Sequence, residues 1–142
     1  MKTFLFLLVL VNTQIAIGQT IEFKDCSGEN YSVINDRVFH KAETMPSMKD
    51  QEEKVKEILT KAVLNSTSGN IEVSFIVFRN GKICLSQIKK DDKLELDTAL
   101  IKDSVKELQP WKVATQNGYK VSCFVIYQAV VSEGRVEKLK IW

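Results

Sequence analysis

Apolar positions along this chain recur at two different spacings, and each predicts an element. Val55, Ile58, Leu59, Ala62 and Val63 fall among Glu, Lys and Gln at the 3.6-residue repeat of an amphipathic helix. Ser47 stands ahead of this run with Asp50 three residues on, the spacing of a capping box. The pattern therefore predicts a helix from there to about Leu64, released by the polar stretch NSTSGN at residues 65–70. From Ile71 the repeat drops to two. Ile71, Val73, Phe75 and Val77 share one face of a strand while Glu72 and Ser74 share the other, so one face of a sheet is core. Ile76 and Phe78 break the polar face, which predicts that this far end is also covered or lies in an interface. Asn80-Gly81 is the pair of a tight hairpin, and residues 83–88 form the returning strand.

A charge run, Lys89 to Lys93, reads as a solvated loop before a second helix. Asp97 can cap that helix, and Ile101, Val105 and Leu108 make its buried stripe, with Leu100 nearby. Pro110 stops it by withholding a backbone donor. Trp111, directly behind, is placed to plug the end of the helical layer. Asn117-Gly118 is a second turn signal, and residues 121–131 are a long apolar strand. The order helix, strand, strand, helix, strand predicts an α+β fold: two helices on one face of a three-stranded antiparallel sheet, in spatial order 2-1-3. Both outer strands, 83–88 and 121–131, are then open edges. Residues 21–25 alternate briefly and 26–30 have turn composition; the tail at 132–142 alternates weakly and either adds an edge element or stays apart.

The first 18 residues change the picture of where the domain works. Lys2, the apolar run at 4–11, the polar break Asn12-Thr13-Gln14 and then Ala16-Ile17-Gly18 have the layout of a secretory signal cut after Gly18. An uncleaved inner-membrane anchor is the alternative, but the apolar run is far shorter than the roughly 20 residues of a spanning helix. The division expected is a signal at 1–18, an N-terminal extension at 19–38, the domain at 39–131 and the tail at 132–142. Without Lys2 the charge is 19 basic against 18 acidic residues, so nothing favours nucleic acid. Cys26, Cys84 and Cys123 allow one disulfide plus a thiol, or three thiols, and the strand context of Cys84 and Cys123 favours buried unpaired cysteine.

Catalytic chemistry finds no purchase in this residue set. His40 is the only histidine, no serine sits in a nucleophile elbow, Asp91 and Asp92 are neighbours in a charged loop, and there is no glycine-rich phosphate loop. A non-enzymatic protein without metal or cofactor is expected. The binding feature the layout offers is the open edge of the 121–131 strand, where an extended peptide or a second copy of the chain can add by main-chain hydrogen bonds.

Read together, AETMP at 42–46, GNIEVSFIVFRNGKI at 69–83 and LDTALIKDSVKELQPWKVATQNGYKV at 96–121 resemble the C-terminal domain of TonB proteins, over residues 39–131. Pro110-Trp111 followed by Asn117-Gly118, and the strand ending in Asn80-Gly81, carry most of the likeness. The resemblance implies a periplasmic protein-binding or adaptor module that contacts TonB-dependent outer-membrane receptors. A receptor segment would pair along Val121, Ser122, Cys123, Phe124, Val125, Ile126 and Tyr127, with Gly81, Gly118, Pro110 and Trp111 as structural positions. Direct energy coupling in outer-membrane transport and a homodimer through paired edge strands are the alternatives. With two prolines in the whole chain there is no long Pro-rich spacer, so the resemblance is to a stand-alone exported relative.

Overall fold

Two periodicities, 3.6 and 2, meet in the main core of the protein. The computed structural model describes residues 18–33, 36–108 and 111–141; the expected signal over 1–17, and Pro110 as helix stop, lie outside them. In chain order the elements are β1 (Gln19–Glu22), a single 3₁₀ turn at Glu29–Tyr31, β2 (Val38–Phe39), α1 (Gln51–Ala62), β3 (Gly69–Val77), β4 (Ile83–Lys90), α2 (Thr98–Val105), β5 (Ala114–Gln116), β6 (Tyr119–Ser132) and β7 (Arg135–Ile141). Ile71, Val73, Phe75 and Val77 of β3 pack with Val55 and Leu59 of α1, Ile101 and Val105 of α2, and Val125 and Tyr127 of β6. Both helices thus cover the same face, and Phe75 meets Tyr127 edge to face at 5.7 Å.

The sheet corrects the expected fold. It has seven strands, in the order β1-β4-β3-β6-β2, with β5 and β7 also paired to β6, in place of a three-stranded sheet with two open edges. An edge leaves backbone donors and acceptors unpaired, and here residues 19–22 and 135–141 supply partners. β1 runs antiparallel to β4, from Gln19↔Lys90 to Glu22↔Gln87. β7 runs antiparallel to β6, from Ser132↔Arg135 to Tyr127↔Ile141. β2 lies parallel to β6 at Ser122 and Cys123.

Helix starts follow local hydrogen bonding. Ser47 does not cap α1, because its backbone is committed to a bridge with Lys112: Ser47 N–H donates to Lys112 C=O at 3.0 Å and Lys112 N–H donates back at 2.6 Å. The cap position falls to Asp50, at φ 55°, and the Gln51 side chain reaches back to accept from Met48 N–H at 2.8 Å. In α2 the Asp97 carboxylate accepts from Leu100 N–H at 3.0 Å, the expected cap.

A second, smaller core lies on the opposite face of the sheet. Ile76 and Phe78 are buried there with Cys84 and Val33, and Tyr31, Val38 and Phe124 pack around them. The cover is the N-terminal extension. Tyr31 stacks on Phe78 with ring centroids 4.8 Å apart, and Asn80 Nδ2 donates to Tyr31 C=O at 2.7 Å, fastening the β3–β4 turn to the extension. A disulfide joins Cys26 to Cys84, so the expectation of an unpaired Cys84 fails where the extension crosses the sheet. Lys102 Nζ and the Asp25 carboxylate, 2.8 Å apart, tie the same segment to α2, and this ammonium holds the Asp25 carboxyl below its ordinary range.

Candidate functional site

Every residue of the predicted binding edge falls in β6, but that strand is flanked on both sides over most of its length. Toward the sheet centre, Cys123 to Val131 pair with Val77 to Gly69 of β3. On the other side, Ser122 and Cys123 face Val38 and Phe39 of β2, and Tyr127 to Ser132 face β7. Val121 pairs with Ala114 of β5. Phe124, Val125 and Ile126 lie between the β2 and β7 pairings, with no strand on their outer side among the described residues. Ser122, Cys123, Val125 and Tyr127 are buried, and half-buried Phe124 stacks on exposed His40 at 4.7 Å.

The side chains along this strand are used to hold the fold together. Ser122 Oγ accepts from Arg79 N–H at 2.9 Å and donates to the Asp36 carboxylate, which also lies 3.9 Å from the Arg79 guanidinium. Burial pushes the Cys123 thiol up, keeping it protonated and a poor nucleophile. It contacts Met45 Sδ at 3.9 Å in a small cluster with Ala42 and Ala114. Trp111 is buried in the main core with Val105 and Leu108. Gly81 and Gly118 sit at turns with φ +85° and +78°. Among the described residues, no group of three or more His, Cys, Asp or Glu is placed to hold a metal ion.

The structure leaves a free edge on β7 on this flank, and another on β1 at the far end of the sheet. Among the described residues no strand pairs with the outer side of β7, which ends the β6 flank of the sheet. Val136, Leu139 and Ile141 turn toward the main core, while Arg135, Glu137, Lys138 and Lys140 are exposed. Next to this edge, a groove of about 860 Å³ crosses the helix-free face of β7, β6, β3 and β4. Its floor carries a polar row: Lys89 Nζ lies 3.5 Å from the Glu72 carboxylate, and Gln128 Nε2 donates to Glu72 at 3.0 Å. Hydrogen bonding and charge, with exposed Val130 beside them, are what this region offers a partner.

Two features of this edge escaped the sequence reading. Glu133-Gly134 makes the turn into β7, with φ 49° and 79°, the positive pair of a two-residue hairpin loop. Its visible signal was a Gly between two alternating runs. The other is a bulge at Val130/Val131, which places Glu137 as an extra residue and breaks the period-2 pattern of the strand. No family model, curated protein or solved structure matches the chain.

Proposed function

We propose that the protein is an exported, non-enzymatic protein-binding module that takes up an extended segment of an envelope protein as an added strand along β7. The observation that carries this reading is the outer edge of β7, which has a partner on one side only among the described residues. Edge addition draws its affinity from main-chain hydrogen bonds and its selectivity from alternate side chains. Those side chains here are Arg135, Lys138 and Lys140 against Glu137, which favours an acidic segment. An antiparallel pairing of two β7 strands centred on Lys138 would set that lysine against its own copy, which disfavours a homodimer through this edge. The Cys26–Cys84 disulfide is the kind of bond that persists in an oxidising compartment and supports export. An outer-membrane receptor segment is the partner suggested by the likeness to TonB C-terminal domains.

Photo-crosslinking in the producing cell tests the proposal. A crosslinker at Lys138 should capture an extended segment of one envelope protein, while one at exposed Lys54 on α1 should not. Capture of a second copy of the chain would replace the reading with self-pairing. Capture from Phe124 alone would return the site to β6, and no capture at either strand would end the edge-binding proposal.

A further inference from the structure

The residue that would begin the chain after export has a chemistry of its own. Resting on the reading that the signal is cut after Gly18, we propose that Gln19 is a modification site, closed onto itself as an N-terminal pyroglutamyl residue. The reaction is internal. The α-amine nitrogen attacks the side-chain amide carbon, a new C–N bond closes a five-membered lactam, and the bond to the amide nitrogen breaks. One amine proton passes to the departing nitrogen, which leaves as ammonia. Atoms balance with no oxidant, reductant or added reactant.

The fold sets up this end of the chain. Sheet pairing of β1 begins at Gln19 itself, opposite Lys90. Gly18 sits so close to β4 that a Cβ on it would stand 2.7 Å from the Lys90 carbonyl oxygen, so the cut falls where the strand first meets the sheet. The Gln19 residue is exposed, which leaves its amide free to fold back on the amine. Register places Lys90 and Lys89 across from Gln19 and Thr20. The groove that Gly18 lines also holds Lys138 and Lys140, against the carboxylates of Glu72, Asp91 and Glu137. Glu72 is already paired with Lys89, and Asp91 accepts from Asn70 N–H at 2.8 Å. Around this end four lysines stand beside three carboxylates, so the charge is nearly balanced, and the unprotonated amine is the form that attacks. Cyclisation then removes the charge of the α-amine from the edge of the sheet.

The test is the intact mass of the full chain expressed with export and purified from the envelope, combined with α-amine labelling at harvest, before ionisation. Expected are the mass of residues 19–142 less one ammonia and an end that does not label. The Gln19→Ala variant should keep its circular dichroism spectrum, show no ammonia deficit and label fully. A wild-type chain of residues 19–142 that labels fully at harvest overturns the lactam while leaving export in place. A chain retaining residues 1–18, or cut elsewhere, overturns the cleavage reading and the lactam with it.

Discussion

Opening the Cys26–Cys84 disulfide should destabilise the whole protein, beyond loosening the segment it holds. The bond spans 58 residues and encloses α1 and β3, so it restrains a large part of the unfolded chain. Loop-closure entropy for a loop of that length corresponds to about 4 kcal/mol at 25 °C. At about 4 °C per kcal/mol for a domain of this size, the unfolding midpoint should fall by about 15 °C. The assay is thermal unfolding followed by circular dichroism, with and without a thiol reductant, with free thiols counted to confirm that the bond is open. A Cys123→Ser variant serves as background, so that exchange with the third cysteine does not contribute. Cys84→Ala should reproduce the reduced midpoint without reductant. Reduction should also speed hydrogen exchange at Val33, whose N–H donates to Gly28 C=O at 2.7 Å in the extension. A midpoint shift below about 3 °C with the bond shown open would refute the reasoning, because the loop would then be restrained by something other than the disulfide.

Two further outcomes follow from named geometry. Gly134→Ala should cost more than Gly118→Ala in chemical denaturation. Both residues have φ near +79° and +78°, an alanine penalty of about 1–2 kcal/mol, but only Gly134 would drive a Cβ to 2.9 Å from a backbone oxygen, that of Asn65. Equal losses would show that Asn65 yields freely. The Tyr127 phenol is pushed well above its ordinary value of 10.0, first by burial and then by the nearby Glu52 carboxylate. Its contribution to stability is therefore whole below the unfolded value and is lost as pH rises above it, by about 1.4 kcal/mol per pH unit. Denaturation at pH 9 to 11 should show a steeper decline for the wild type than for Tyr127→Phe, and parallel curves would contradict the burial argument.

The strongly periodic segments were the legible part of this fold. Val55 to Val63 and Ile71 to Val77 carry enough apolar residues at one spacing to declare α1 and β3, and Asn80-Gly81 announces the β3–β4 turn. β1 and β2 have four and two residues, too few to establish a period. β7 is long enough, but its inward residues Val136, Leu139 and Ile141 are spaced three and then two apart because of the bulge, so it resembled a loose tail. That one extra residue also hides the strand that pairs along Tyr127 to Ser132 of β6. Periodicity alone reads the long apolar strand as an edge, whereas its apolar character reflects cover on both faces of the sheet, the helices on one and the N-terminal extension on the other. The partner of Cys26 was hidden for a different reason. It depends on the extension crossing the far face over Ile76 and Phe78, a tertiary contact with no local spacing.

The disulfide also decides how the protein would yield to tension. β1 lies on the β4 side of the sheet and β7 on the β6 side, with β3 between β4 and β6. A pull on the N-terminal end can peel β1 from β4, but extension stops at Cys26, where the load passes through the bond to Cys84 inside β4. The chain between the two cysteines is then mechanically hidden. At roughly 3.3 Å per extended residue, about 190 Å of its length becomes available to stretching only after reduction.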